Sequence, residues 1–117
     1  MNSGRPSGSG HWIVQRVTAI ALIPLGLWLV CTLLTREDLS RQAWRDFLAI
    51  PWHAVLASLA LLTMLWHSYL GMQVIIEDYV HTPARERLLR ILNGAVHLAA
   101  AAAGLFAVLG IAQGLSA

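Results

Sequence analysis

Residues 66–80 have the sequence WHSYLGMQVIIEDYV, an apolar helical stretch that carries one imidazole and ends in an acidic and aromatic pair. His67 lies inside the apolar run, and Asp78 and Tyr79 lie where that run stops. At about 1.5 Å per helical residue, His67 is roughly 18 Å from Tyr79, so we expect the histidine deep in a hydrocarbon layer and the tyrosine at its edge. An ionisable side chain inside a membrane is costly to leave unpartnered, so His67 is a candidate functional residue.

Two kinds of chemistry suit this arrangement. A neutral imidazole in a dry helical bundle can ligate a metal centre, above all a haem iron, while its other nitrogen bonds a neighbour. A phenol beside a carboxylate, such as Tyr79 beside Asp78, can hydrogen-bond and protonate an amphipathic molecule such as a quinone. The alternative is that His67 bonds another transmembrane helix while Asp78 and Tyr79 form an ordinary interfacial turn. The residues alone leave both interpretations open.

The composition is that of an integral membrane protein. Of 117 residues, 57% are hydrophobic and 12% are charged, and this balance is wrong for a soluble domain of this size. A chain this short cannot enclose a large cofactor alone, so we expect protein partners. The net charge of +2 comes from arginine without lysine and does not favour binding to nucleic acid. Cys31 is the one cysteine, so a metal site would have to use histidine.

The hydropathy pattern predicts an all-α membrane protein with three transmembrane helices. The predicted segments are a polar leader and amphipathic start (1–16), a first span (17–34), a connector (35–50), a second span (51–76), a turn (77–87), a third span (88–112) and a tail (113–117). The leader has neither the pattern of a signal peptide nor the arginine-rich helix of a mitochondrial presequence. We therefore expect a multi-pass protein of a bacterial inner membrane.

The arginines predict the orientation of the chain. Five of them lie before the first span or between the second and third: Arg5, Arg16, Arg85, Arg87 and Arg90. The connector has three arginines matched by three acids, and the tail has none. The positive-inside rule then places the N-terminus and the 77–87 turn in the cytoplasm and the C-terminus in the periplasm.

Other polar residues of the spans allow two interpretations each. Arg16 either extends its guanidinium to the interface or pairs with an anionic group such as a haem propionate. His53 precedes His67 by 14 residues, which puts it within about 40° of the same helix face and some 21 Å away. That spacing suits a second haem, but His53 lies next to Trp52 near the start of the span, so we expect an interfacial histidine in contact with water. We expect His97 to bond another helix.

The sequence resembles the small membrane-anchor subunit of succinate dehydrogenase, usually called the D subunit, over nearly its whole length. The matching features are Arg16-Val17-Thr18-Ala19-Ile20, His67 followed by Gly71, Gln73-Val74 before Asp78-Tyr79-Val80, and a basic start to the third span.

The resemblance implies specific roles. His67 would be an axial ligand of haem b, with the second ligand from a companion cytochrome b anchor subunit. Tyr79, with Asp78, would hydrogen-bond ubiquinone, and Arg16 would lie near the haem propionates and the quinone. A flavoprotein subunit and an iron-sulfur subunit would supply the electrons, so this chain alone should oxidise nothing. Glu77 makes the turn more acidic than the family pattern requires, which leaves open which carboxylate acts.

Three alternatives remain at this point. A two-haem cytochrome b anchor would use His53 as a further ligand. A transport subunit would use Asp78 and His67 as a proton relay. A subunit for packing or assembly would bind no haem.

Overall fold

The computed structural model describes residues 8–114, apart from the side chains at positions 9 and 11. Within that range the chain forms four α-helices and no strand. The helices are α1 (Gly8–Thr35), α2 (Arg41–Ala49), α3 (Pro51–Tyr79) and α4 (Pro83–Ala112). By length and composition, α1, α3 and α4 can each cross a membrane. The predicted all-α fold with three transmembrane helices is confirmed, whereas the orientation of the termini stays a prediction.

The helices are longer than the apolar segments of the sequence. The first helix begins at Gly8 rather than at 17, α3 continues to Tyr79 rather than ending at 76, and α4 begins at Pro83 rather than at 88. Hydropathy marks where the chain enters hydrocarbon, but a helix continues wherever its backbone hydrogen bonds can still form. Proline occupies the first position of α3 and α4, where its missing N–H costs no hydrogen bond. The predicted leader up to residue 7 and the predicted tail from residue 115 lie outside the described residues.

The second transmembrane helix, α3, lies between the other two. Both α1 and α4 pack against α3, and they make no backbone approach to each other. Few of the side chains that the structure describes are buried in this arrangement: Leu48, Ala54, Ala60, Leu70, Ile76 and Asn93. Most of the apolar surface therefore has to be covered by lipid or by other chains.

Polar and small side chains join α3 to α4. Asn93 Nδ2 donates to the backbone oxygen of Tyr69 at 3.2 Å. His97 Nε2 lies 3.0 Å from Ser68 Oγ, which confirms that His97 bonds another helix. Further along the same contact, Gly104 lies so close to Leu61 that a Cβ at position 104 would overlap its side chain. Small residues of this kind let membrane helices approach closely.

The connector between the first two spans contains the short amphipathic helix α2. Ser40 Oγ accepts from Ala43 N at its start, and Asp38 accepts from Ser40 N at 2.8 Å. These bonds from Ser40 lower the pKa of the Asp38 carboxyl. The aromatic ring of Phe47 stacks on Trp28 of α1 at a centroid distance of 6.1 Å. The connector is therefore folded against the spans.

Candidate functional site

His67 is held by a hydrogen bond from the neighbouring helix. Its Nδ1 lies 3.0 Å from Thr18 Oγ1. The Thr18 hydroxyl donates to its own helix, at the carbonyl oxygens of Val14 (2.9 Å) and Gln15 (3.1 Å), so its oxygen is left to accept from His67. Nδ1 then carries the proton and Nε2 carries the lone pair. This is the tautomer in which an imidazole binds a metal through Nε2 with Nδ1 fixed by a neighbour.

His67 lies on the wall of a cavity between α1 and α3. The cavity has a volume of 480 Å³, within the range usual for small-molecule sites. Its lining residues are Trp12, Gln15, Arg16, Ala19, His67, Leu70, Gln73, Val74 and Glu77. The basic start of α1 and the polar end of α3 therefore meet around one space that an imidazole borders.

Two glutamines on the wall of this cavity have unsatisfied oxygens. Gln15 Oε1 and Gln73 Oε1 are buried and have no hydrogen-bond partner within residues 8–114. Gln73 Nε2 donates to the Tyr69 hydroxyl at 2.9 Å, so the nitrogen of that amide has a partner and its oxygen does not. Burying a polar atom without a partner costs about 1–3 kcal/mol. The pair therefore marks the cavity as a place for a polar group or a bound molecule.

Arg16 and Glu77 bring opposite charges to the cavity. The Arg16 guanidinium lies over the Trp12 ring, 5.3 Å from its centroid. Glu77 accepts from Arg90 of α4 at 2.8 Å, and Arg90 also bonds Glu86 within α4. Glu77 is therefore already engaged in joining α3 to α4, while among residues 8–114 Arg16 contacts the Trp12 ring and has no hydrogen-bond partner.

Asp78 and Tyr79 lie at the end of α3 but do not line the cavity. Tyr79 is 80% exposed, and Asp78 is also exposed. Neither side chain is bonded by another part of the chain that the structure describes. Tyr79 is twelve residues after His67, which places it about 120° around the helix from the histidine. This chain alone does not bring the tyrosine and the histidine into one site.

His53 is engaged at the opposite end of α3. Its ring stacks on Phe47 at a centroid distance of 3.9 Å, and its Nδ1 lies 2.9 Å from the Phe47 carbonyl oxygen. This packing against α2 favours the interfacial role over the role of a second haem ligand. Within residues 8–114, no three His, Cys, Asp or Glu side chains are grouped to hold a metal ion by themselves. An axial haem ligand requires only one imidazole from a chain.

Sequence reasoning missed Thr18, Gln15 and Gln73 as members of the site. Thr18 stood within the motif after Arg16 but had no assigned role toward His67, although a hydroxyl near the membrane threshold is a natural partner for an intramembrane imidazole. The glutamines carried a weaker signal: both are uncharged polar residues next to long apolar runs. Only the pairing of α1 with α3 shows that these residues share one cavity with His67.

The chain is similar to membrane subunits of succinate dehydrogenase. A family described as succinate dehydrogenase/fumarate reductase transmembrane subunit matches residues 2–108. A succinate dehydrogenase hydrophobic membrane anchor subunit of Rickettsia bellii (strain RML369-C) is 42% identical over 76 residues, which is 63% of this chain and 59% of the relative. The subunit of the same description from Coxiella burnetii (strain RSA 493 / Nine Mile phase I) is 27% identical over 73 residues, covering 62% and 64%. A succinate dehydrogenase membrane anchor subunit of Reclinomonas americana is 33% identical over 79 residues, covering 64% and 65%. Each match spans less than two thirds of the relative.

Proposed function

Because the chain belongs to the family of succinate dehydrogenase/fumarate reductase transmembrane subunits, we propose that it anchors a succinate dehydrogenase in the membrane and shares a haem b through His67. The three spans and the family confirm the predicted multi-pass membrane location, and bacterial relatives agree with an inner membrane. The companion cytochrome b anchor, the iron-sulfur subunit and the flavoprotein subunit are the proposed partners. The chain contributes binding and positioning groups to the complex and has no activity alone.

The contact between His67 Nδ1 and Thr18 Oγ1 is the observation that carries the haem proposal. Because the Thr18 hydroxyl donates within its own helix, we assign the proton to Nδ1, which leaves the lone pair on Nε2 of a residue that lines the cavity. A bound haem b supplies a one-electron carrier there. Thr18 keeps the ring in one tautomer and one orientation, and a fixed donor nitrogen is what axial ligation requires.

The residues around His67 suit a ligand with both apolar and anionic parts. Leu70 and Val74 give the cavity apolar walls, and Arg16 gives it a cation at the end near the membrane surface. A guanidinium pairs well with carboxylates such as propionates. The donor set therefore fits a haem b that His67 would ligate and whose carboxylates Arg16 would pair with.

Tyr79 and Asp78 are proposed to contribute to a ubiquinone site at the end of α3. The Tyr79 hydroxyl is exposed, so it is available to donate to a quinone carbonyl. Asp78 is adjacent in sequence and can orient that hydroxyl or pass a proton to it. Because both residues lie outside the His67 cavity, the proposed site is completed by surfaces of the partner subunits.

The test of the haem proposal compares two histidines in the purified complex. Both His67 and His97 bond a hydroxyl group on another helix, but His67 alone of the two lines the cavity. We expect His67→Ala to abolish or strongly perturb the low-spin haem b spectrum and His97→Ala to preserve it. Flavin, iron-sulfur clusters and a second small hydrophobic chain should copurify with the unmodified protein.

An unchanged haem spectrum in His67→Ala would remove this residue as the ligand while leaving the anchoring role in place. Copurification without any flavin or iron-sulfur cluster would overturn the anchoring role itself. Two haems per complex in a pyridine haemochrome assay would instead favour His53 as the ligand of a second haem.

A further inference from the structure

Gln73 brings a buried amide oxygen to the wall of the His67 cavity. In the part of the chain that the structure describes, this Oε1 has no hydrogen-bond partner. Its Nε2 donates to the Tyr69 hydroxyl at 2.9 Å, and this bond assigns the oxygen, rather than the nitrogen, to the unpaired position. The group left without a partner is therefore the negative end of the amide dipole.

Helix α4 fixes the tyrosine that holds Gln73. Asn93, which is 7% exposed, donates from Nδ2 to the backbone oxygen of Tyr69 at 3.2 Å. The ring of His97 meets the Tyr69 ring edge-on at a centroid distance of 5.8 Å. The residues that line the cavity belong to α1 and α3, so Tyr69 links α4 to the cavity wall and keeps the Gln73 amide in one orientation.

The unpaired oxygen selects between the two charge states of a haem. The ring of a haem offers no N–H or O–H group that could donate to Gln73, so a hydrogen bond from the ring is not available. Positive charge can stabilise the oxygen instead, and the centre of a haem is more positive when it is oxidised than when it is reduced. Inside a membrane protein the dielectric constant is low, so a fixed dipole distinguishes these two states more strongly than it would in water.

We propose that Gln73 stabilises the oxidised form of the haem that His67 binds and thereby lowers its midpoint potential. Tyr69 is the positioning residue that keeps the Gln73 oxygen directed at the haem. Hydrogen bonding and polar groups around the axial ligand are among the means by which a protein sets a haem potential. This inference rests on the haem proposal above, because without a haem at His67 the oxygen would have no redox centre to act on.

The experiment is a redox titration of the haem b absorbance in the purified complex. Gln73→Leu removes the amide and should raise the ratio of reduced to oxidised haem at a fixed potential roughly two- to fivefold, which is about 20 to 40 mV for one electron. Gln42→Leu makes the same change at an exposed position of α2 outside the cavity and should leave the potential unchanged. Gln73→Met, which keeps an unbranched side chain, replaces Gln73→Leu if the latter lowers haem content.

The role of Tyr69 is tested by Tyr69→Phe, which keeps the ring and removes the oxygen that accepts from Gln73. The freed amide can turn, so the midpoint potential should rise by less than in Gln73→Leu. Because Tyr69 acts through Gln73, the double variant Tyr69→Phe/Gln73→Leu should have the potential of Gln73→Leu alone. A tyrosine that only packs α3 against α4 would change thermal stability and leave the potential where it was.

A midpoint potential that stays the same or falls in Gln73→Leu, or that rises equally in Gln42→Leu, would overturn the inference. A fall would mean that the NH₂ group faces the haem. If His67→Ala lost the haem spectrum in the same series, the haem proposal would still stand. An unchanged spectrum in His67→Ala would overturn the haem proposal, and this inference with it.

Discussion

We expect Thr18 to fix the tautomer of the His67 imidazole. Thr18→Val keeps the shape of the side chain but removes the oxygen that accepts from His67 Nδ1. The ring then loses its fixed tautomer, so we expect haem affinity of the complex to fall about 10- to 100-fold. Haem content measured by pyridine haemochrome, together with the rate of haem loss, checks this. Thr18→Ser, which restores the oxygen, should recover both values.

The control for this change is Thr32→Val in the same helix. The Thr32 hydroxyl donates to the Trp28 carbonyl at 2.7 Å, which is a bond within α1 and not between helices. Its removal should leave haem content unchanged. If Thr18→Val and Thr32→Val held haem equally well, the hydrogen bond to His67 would have no part in ligation.

Tyr79 provides the second prediction about a single residue. Tyr79→Phe keeps the ring and removes the hydroxyl, so quinone reduction by the complex should slow while assembly remains normal. The loss of one hydrogen bond is worth about 1–3 kcal/mol, or roughly one to two orders of magnitude in rate if the bond strengthens in the transition state. Succinate oxidation with an artificial acceptor should stay near normal. Equal losses in the two assays would instead indicate failed assembly.

The two carboxylates of the turn should behave differently. Glu77 is bonded to Arg90, and an ion pair this exposed contributes about 1 kcal/mol or less. We therefore expect Glu77→Gln to change quinone reduction little. Asp78→Asn should slow quinone reduction in a pH-dependent way if the carboxylate orients Tyr79 or relays its proton. The reverse ranking in a pH series of quinone reduction would assign the role to Glu77.

At the scale of helices, the contact between α3 and α4 depends on Gly104. A methyl group at this position would overlap the end of the Leu61 side chain, which would have to turn away, so we expect Gly104→Ala to be about 1 kcal/mol less stable than Gly26→Ala, which gains the same helix propensity without an overlap. Thermal unfolding of the detergent-solubilised complex measures the change. Gly26→Ala, where no atom lies within 4 Å, should be neutral or stabilise by up to about 1 kcal/mol.

A second variant shows whether the overlap is the cause. Leu61→Ala removes the side chain that Gly104→Ala would meet, so the double variant should lose less stability than the sum of the two single variants. Strict additivity would mean that Gly104 acts through something other than this contact.

At the scale of the whole molecule, the orientation in the membrane can be measured directly. A reporter fused after Ala117 should behave as periplasmic, because the arginine excess favours a cytoplasmic turn at 77–87 and three spans put the two ends on opposite sides. A fusion within the 77–87 turn should behave as cytoplasmic. If the two readouts were exchanged, the proposed quinone site would lie on the wrong side for a cytoplasmic iron-sulfur subunit.

The arrangement of the three spans supports the proposal that the chain works with partner subunits. Because α1 and α4 pack on α3 but not on each other, the helices form an open layer and His67 is only partly buried. An open layer cannot surround a haem by itself, so the proposed haem would need the proposed companion subunit on its open face.

The sequence by itself determined the class of protein, the number of spans and the prominence of His67. These properties follow from local quantities: the length of an apolar run compared with the thickness of a bilayer, and the cost of an imidazole inside it. The predicted limits of the spans marked changes in polarity, whereas the ends of the helices depend on backbone hydrogen bonds.

Only the tertiary structure decided which residues share a site. It paired Thr18 with His67 across 49 positions of sequence, placed Gln15 and Gln73 on one cavity and left Tyr79 away from it. Such relations depend on which helices are neighbours and on their relative rotation. Both are set by packing between helices, which a pattern within one helix does not contain.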